Sequence, residues 1–407
     1  MICKRCKAEV SILDNTCPSC GHDFTKVDIE KRYTDSPGLS ETAGKRSSSS
    51  GFTSFKAAES RDIQVDIDCW DRLNWSLVNC GVPFLNSIKI SNVSYSDIHN
   101  IILRIELAPD YCVPWEKTVQ SIPSRQHIEF TNEDINLSID KKRLRDVNEK
   151  EQASLKFEIA SDGNTLFADT RPIQVLAYHE WYFHPLFPDI LASFIFPNST
   201  AVKEAIKGAG SYLEQLNFGS SLDGYQSGNA DKVTAMTHAF YLILQNELQI
   251  KYINPPASFE KTGQKILPPE EILDIGRGTC LDLALLYAAC LERIGLYPLI
   301  FLIPGHAFLG VWRSMGKFYE FWEHDKELYS QKRIDNNEEY MAFLNGRYDR
   351  YKNAIEEGFI LPINSTTFTS EKNFKECVDQ GIFYCSKSFE AVIDVIIARE
   401  RVAPLPL

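Results

Sequence analysis

The run Cys280-Leu281-Asp282-Leu283-Ala284-Leu285-Leu286-Tyr287-Ala288-Ala289-Cys290-Leu291 is apolar on almost every side when wound as a helix. Such a helix cannot lie on a surface, because no face of it suits water. It has to run through the centre of a domain, with other elements packed around it. Its ends are set locally. Thr279 is a good N-cap residue, and Asp282 three positions on completes something close to a capping box. Gly295-Leu296 ends the helix. Cys280 is thereby predicted at the first helical position. There the free N–H groups and the positive end of the dipole favour a thiolate. An ordinary thiol titrates near ~8.5, and a lowered value is the expectation at this position. Cys290, inside the same helix, is expected to be an inert core thiol.

Two strands follow. Tyr297 to Ile303 is a continuous apolar run, and Gly305-His306-Ala307-Phe308-Leu309-Gly310-Val311-Trp312 begins another. Small residues on both sides leave His306 reachable. An imidazole beside Cys280 could take the thiol proton and later deliver one to a leaving group. A buried cysteine and an unrelated histidine give the same text, so spacing alone leaves both readings open.

The amino end has a different logic. Cys3-x2-Cys6 and Cys17-x2-Cys20 form a paired-knuckle spacing, and four thiolates close a tetrahedral Zn²⁺ site. A module this short cannot bury a core, so a structural zinc ribbon over residues 1–24 would take its folding free energy from the metal. His22 is surplus to four thiolates. Residues 25–61, with Ser47-Ser48-Ser49-Ser50-Gly51, carry little apolar periodicity and are expected to be a flexible linker.

From 62 to 178 the period is two. Ile101, Leu103, Ile105 and Leu107 alternate with polar Arg104 and Glu106, and Leu155, Phe157 and Ile159 with Lys156 and Glu158. Turn signals such as Asp162-Gly163-Asn164 separate the strands, which predicts an antiparallel β-sandwich. His99 and His127 are expected on its surface. Trp70, Trp75 and Trp115 are expected as core or interface anchors. From 179 the period becomes helical, with helices to about Leu216 and from about Ala230 to Asn246. His238 in the second is expected to be a satisfied histidine. Tyr252 to Glu271 is Pro-rich and is predicted to be an irregular wall beside the cysteine helix.

Composition narrows the function classes. The chain has 407 residues and a net charge of -12, which argues against a broad nucleic-acid footprint. No apolar run approaches the roughly 20 residues needed to span a bilayer. The amino terminus lacks an apolar signal region, and the default expectation is cytoplasm. Seven further cysteines (Cys69, Cys80, Cys112, Cys280, Cys290, Cys377 and Cys385) are scattered, and are expected as free thiols rather than a disulfide framework.

The motifs around Cys280 and His306 resemble the transglutaminase-like superfamily, of papain-like cysteine-protease fold. The chain is more closely similar to the amino-terminal region, of unknown function, in large bacterial helicase proteins. The text that carries this is Leu191-Ala192-Ser193-Phe194 with Pro197-Asn198, Asp223-Gly224-Tyr225-Gln226, Tyr252 to Phe259, Gly263-Gln264, Gly278 to Ala284, and Gly305-His306-Ala307-Phe308. The β-rich segment before it and Ala398-Arg399-Glu400-Arg401 near the end also match, so the resemblance spans about residues 62–406. It implies an α+β chain in which a papain-like, transglutaminase-like core (179–407) follows the β-sandwich and the zinc ribbon. Cys280 would be the nucleophile and His306 the base.

Two departures stand out. Those proteins continue into helicase motors, and no phosphate-binding Gly-x4-Gly-Lys-Ser/Thr loop occurs here. The implied protein is a stand-alone module that works with a separate helicase or nuclease subunit, as in bacterial anti-phage systems. The superfamily also places an acid late in the core, where Leu361-Pro362-Ile363-Asn364-Ser365-Thr366 puts Asn364. An amide can orient an imidazole, as in Cys-His-Asn sites. Glu320, Glu323 and Asp325 are fallback orienters, and Gln264 is a candidate oxyanion donor. Peptidase, amidase and transglutaminase chemistry all pass through a thioester and are not separable in the sequence. The alternative is a catalytically degenerate scaffold that binds a protein partner through the cleft, sandwich and ribbon. Direct nucleic-acid binding is disfavoured outside the ribbon.

Overall fold

The computed structural model describes residues 52–56, 62–183, 187–254, 263–330 and 337–406. Cys3, Cys6, Cys17, Cys20 and nearly all of the expected linker lie outside them. The chain is a mixture of sheets and helices. It forms two compact units. One holds the described residues up to 183 together with 263–265, and the other holds the remainder from 187 onward.

The first unit contains β1 (Phe52–Lys56), β2 (Ile63–Trp70), β3 (Arg72–Leu73), β4 (Leu85–Asn92), β5 (Ile98–Ala108), β6 (Trp115–Ile122), β7 (His127–Thr131), β8 (Glu151–Ser161), β9 (Asn164–Val175) and β10 (Glu180–Trp181). One sheet runs β1-β2-β4-β7 and the other β3-β9-β8-β5-β6. All pairings are antiparallel except the short β3–β9 contact. The two-residue alternation decides which face is dry. Ile101, Leu103, Ile105 and Leu107 of β5 are buried, while Ile102 between them is exposed. The sheets meet where Arg171 of β9 bonds Cys69 of β2, and where Trp115 of β6 packs edge-on against Phe130 of β7. Trp70 and Trp75 are buried, and His99 and His127 are exposed. Within this unit Glu180–Trp181 pairs antiparallel with Gln264–Lys265, here β12.

The second unit is built on one four-stranded antiparallel sheet in the order β16-β15-β14-β17. Its strands are β14 (Pro298–Ile303), β15 (His306–Trp312), β16 (Ile360–Ile363) and β17 (Ala391–Asp394). A minor parallel pair, β11 (Lys251–Tyr252) with β13 (Arg277–Gly278), lies just before the cysteine helix. The main helices are α1 (Thr200–Gln215), α2 (Ala230–Asn246), α3 (Pro269–Ile275), α4 (Cys280–Arg293), α5 (Met315–Ser330), α6 (Asn337–Glu356) and α7 (Phe374–Cys385). Every residue of β14 is buried, which explains why this strand reads as unbroken apolar text. Leu299, Phe301 and Ile303 join a cluster with Phe318 and Phe321 of α5 and Leu344, Tyr348 and Tyr351 of α6. Helix α4 packs on both β14 and β15. Its Leu281 to Leu291 segment is entirely buried, and each large side chain there contributes about 1.5–3 kcal/mol by leaving water.

The irregular stretch expected from Tyr252 to Glu271 is corrected at its end, because α3 begins at Pro269. The signal was local. Pro at the first helical position loses no useful N–H, and Glu270 and Glu271 suit the first turn. Glu270 also accepts the Thr200 N–H at 2.7 Å, tying α3 to the start of α1. His238 is buried in α2 and stacks on Phe374 at 4.3 Å.

Asp394, at the end of β17, is 1% exposed. It accepts the Trp312 indole N–H at 2.8 Å and the Ile397 N–H at 3.4 Å. Burial outweighs those bonds and the nearby Arg347 charge, and pushes the carboxyl up to about 6. The folded value is above the unfolded one. The group therefore contributes stability at low pH that is lost as pH rises from about 4 through about 6. Relative to Asp394→Asn, the natural chain is expected to lose about 2.5 kcal/mol of stability between pH 4 and 7. Urea unfolding of both proteins across that range measures it. A difference that stays constant with pH would contradict the assignment.

Candidate functional site: a cysteine, histidine and asparagine at one end of a sheet

The start of α4 is held by a closed set of bonds. The Thr279 hydroxyl accepts the Asp282 N–H at 3.3 Å, and Asp282 Oδ2 accepts the Thr279 N–H at 2.9 Å and its hydroxyl at 2.8 Å. Asp282 Oδ1 accepts the Leu267 N–H at 3.0 Å. The capping box foreseen in the sequence is thus complete, and it also ties down the segment before α3. It leaves Cys280 as the first helical residue. The Ala307 N–H and the N–H groups of Leu281 and Cys280 itself are directed at its sulfur.

His306 opens β15. The turn before it is Pro304-Gly305, with Gly305 at φ +74°, the glycine conformation a type II turn requires. This turn sets the register in which Ile303 faces His306. Ala307, the next residue, is the one whose N–H reaches the Cys280 sulfur, so thiol and imidazole lie at the same end of the sheet. Asn364 follows β16, the neighbour of β15. His306 Nε2 lies 3.0 Å from Asn364 Oδ1. An amide oxygen can only accept, so Nε2 carries the proton and Nδ1 keeps its lone pair.

Asn364 is 2% exposed. Its side chain is held at both ends. Oδ1 also accepts the Thr366 hydroxyl at 3.0 Å, and Nδ2 donates to Gln380 Oε1 at 2.8 Å. Its backbone N–H donates to the Cys377 carbonyl, and its carbonyl accepts the Cys377 thiol. Two aromatic residues border the group. Tyr384 of α7 has its ring centroid 4.6 Å from that of His306. Tyr252, at the end of β11, and Tyr384 both lie within electrostatic range of the Cys280 thiol.

The thiol differs from expectation in one respect. Burial pushes Cys280 up to about 11, because desolvation of a thiolate outweighs the N–H groups aimed at the sulfur. Burial also lowers His306, against the Asn364 bond that favours its charged form. Both effects disfavour charge, so the resting pair is a neutral thiol and a neutral imidazole. Cys290 and Cys377 are buried core thiols, each pushed up to about 12.

The other candidates occupy these positions. Gln264 belongs to the first unit, where it pairs with Trp181 in the β10–β12 ladder. Glu320 and Glu323 sit on α5, exposed and paired with Lys317 and Lys326. Asp325 is on the same helix. The His306 partner is Asn364. Gln380 and Tyr384 had no place among the sequence candidates. Thr366 and Tyr252 stood in stretches already singled out, two positions after Asn364 and at the start of the predicted wall, but had no role assigned. Among the described residues no group of His, Cys, Asp and Glu could hold a metal ion, and no helix is long and apolar enough to cross a membrane.

No family model matches the chain, and no curated protein matches it. Among solved structures it is similar to the Amycolatopsis orientalis exo-chitosanase CsxA, at 9% identity and a TM-score of 0.17, over 56% of this chain and 32% of that one. A structure from work on inhibition of the exo-β-D-glucosaminidase CsxA gives the same identity, TM-score and coverage. The chain thus spans about a third of the length of those proteins. A likeness at that TM-score carries no argument about fold or site.

Proposed function

We propose that the second unit is a papain-like, transglutaminase-like module that transfers or hydrolyses acyl groups on protein or peptide substrates. The observation that carries this reading is the His306–Asn364 bond at 3.0 Å beside the start of the Cys280 helix. In the proposed reaction the Cys280 sulfur attacks the acyl carbonyl while its proton passes to His306 Nδ1. The tetrahedral intermediate collapses to a thioester, and His306 protonates the departing amine or alcohol. Water or a primary amine then resolves the thioester, with His306 again taking the proton of the attacking group. A neutral resting pair suits this order, because charge develops only as the carbonyl is attacked. Asn364 keeps the imidazole turned so that Nδ1 is the basic nitrogen, and supports the imidazolium that forms.

The test is acylation by an activated peptide ester, followed by mass spectrometry. The expected result is a single acyl group on the chain, absent from Cys280→Ala. Added amine would be incorporated by a transferase and ignored by a hydrolase. A folded natural chain that takes up no acyl group would contradict the reaction, and would favour the scaffold reading.

The amino-terminal cysteines complete the proposal. Four thiolates in two Cys-x2-Cys pairs suit Zn²⁺, and Cys3, Cys6, Cys17 and Cys20 would hold it as a structural ion. Metal analysis that finds no zinc would remove that part. A module of this kind would act in the cytoplasm beside a separate helicase or nuclease, as the resemblance to helicase-linked regions and anti-phage components implies.

A further inference from the structure

The Asn364 amide poses a problem that a carboxylate would not. Its two ends are nearly the same size, yet only one orientation serves the thiol. With Oδ1 toward His306, Nε2 holds the ring proton and Nδ1 is the base. With the amide turned over, Nδ2 would face the imidazole, Nε2 would have to accept, and the proton would move to Nδ1. The base would then be lost with no change in backbone or packing.

The structure contains a group that reads the far end of the amide. Gln380 Oε1 accepts from Asn364 Nδ2 at 2.8 Å. Gln380 lies on α7, sixteen residues beyond Asn364, and an uncommon feature brings α7 close enough. Gly381 sits mid-helix against β16, where an added Cβ would lie 2.7 Å from the Pro362 carbonyl carbon and 2.9 Å from the Ile363 nitrogen. A mid-helix glycine costs about 1 kcal/mol relative to alanine. Here the missing side chain lets α7 lie directly on the strand that ends at Asn364. Cys377, one turn earlier, bonds both the Asn364 N–H and carbonyl. The helix therefore holds this asparagine through backbone and side chain together.

We infer that Gln380 is a positioning residue, which acts with the Thr366 hydroxyl on Oδ1 to fix the orientation of the Asn364 amide and through it the tautomer of His306. The role rests on the thiol reading of the site for its consequence, but the tautomer can be observed without any reaction. It also accounts for an amide where an acid is usual. Asn364 supplies the polarity of a carboxylate only when a second residue decides which end faces the histidine.

The experiment is ¹⁵N NMR of the full chain labelled at histidine, run alongside Cys280 acylation rates. In the natural chain His306 is expected as the Nε2–H tautomer. Gln380→Leu is expected to shift it toward Nδ1–H and to slow acylation by about tenfold or more. In an Asn364→Asp background the carboxylate has two equivalent acceptors. There Gln380→Leu should change the rate by less than about twofold. Gln380→Glu keeps the acceptor, so the tautomer should persist, while its charge moves the acidic limb of the pH–rate profile upward.

An unchanged tautomer in folded Gln380→Leu would overturn the inference, as would equal rate losses in both backgrounds. Should Gln380→Leu fail to fold, a Gln380→Glu chain with altered tautomer or an unmoved acidic limb would overturn it as well. If His306 responds to Gln380 but the natural chain takes up no acyl group, the positioning role stands and the acyl-transfer reading falls.

Discussion

His306→Ala is expected to slow acylation of Cys280 by roughly 10²–10⁴-fold, the usual contribution of a placed general base. The burial of the sulfur sets the size of the effect. With the thiol pushed up to about 11, roughly one molecule in ten thousand carries a thiolate at pH 7. The N–H groups of Ala307, Leu281 and Cys280 do not overcome that desolvation. The helix start does not by itself favour the thiolate, and in the proposed reaction the proton leaves by way of the imidazole as the substrate engages. His306 is lowered by its own burial, so it stands as the free base at neutral pH. Stopped-flow acylation of His306→Ala, with circular dichroism to confirm its fold, measures the effect. A rate within about twofold of the natural chain would mean that Cys280 reacts without help.

Asp282→Ala is expected to have the largest effect on stability, a loss of about 3–4 kcal/mol. The side chain is 1% exposed and accepts three bonds. Its removal leaves the Thr279 and Leu267 N–H groups without these partners. It also opens the capping box that sets where α4 begins. The carboxyl itself is raised by burial, so its charge is held at some cost, and the bonds it accepts offset that cost. Because Cys280 is the first residue of the helix, a frayed first turn moves the sulfur. Acylation should fall with stability, and Asp282→Asn should recover part of both. Urea unfolding and acylation rates on the same preparations measure this. A variant within about 0.5 kcal/mol of the natural chain would contradict the structural account.

The sequence made some of this legible because some of it is local. Thr279 and Asp282 are three residues apart, so the capping box and the place of Cys280 follow from text. The alternation of Ile101 through Leu107 is equally local, and so is the unbroken apolar run of β14. What was not legible depends on partners far along the chain. Gln264 lies in a loop-like text after Gly263, but its ladder partner Trp181 is more than eighty residues away. Glu320 and Glu323 follow the histidine strand in sequence, yet α5 carries them into solvent. The state of the thiol also escaped. Its capping signals favour charge, and its tertiary surroundings remove the water that charge needs. Gln380 escaped for a related reason. Its cue is a glycine in the middle of an amphipathic helix, and only the strand beneath gives that glycine a purpose.

The claim that Cys280 is the nucleophile and His306 its base is tested most directly by mapping acyl adducts over all eleven cysteines. The natural chain and His306→Ala would each be treated with the same activated peptide ester and digested for mass spectrometry. One adduct is expected, on Cys280, formed by the natural chain and nearly absent without His306. Adducts confined to other cysteines, or an equal yield on Cys280 in both proteins, would contradict it.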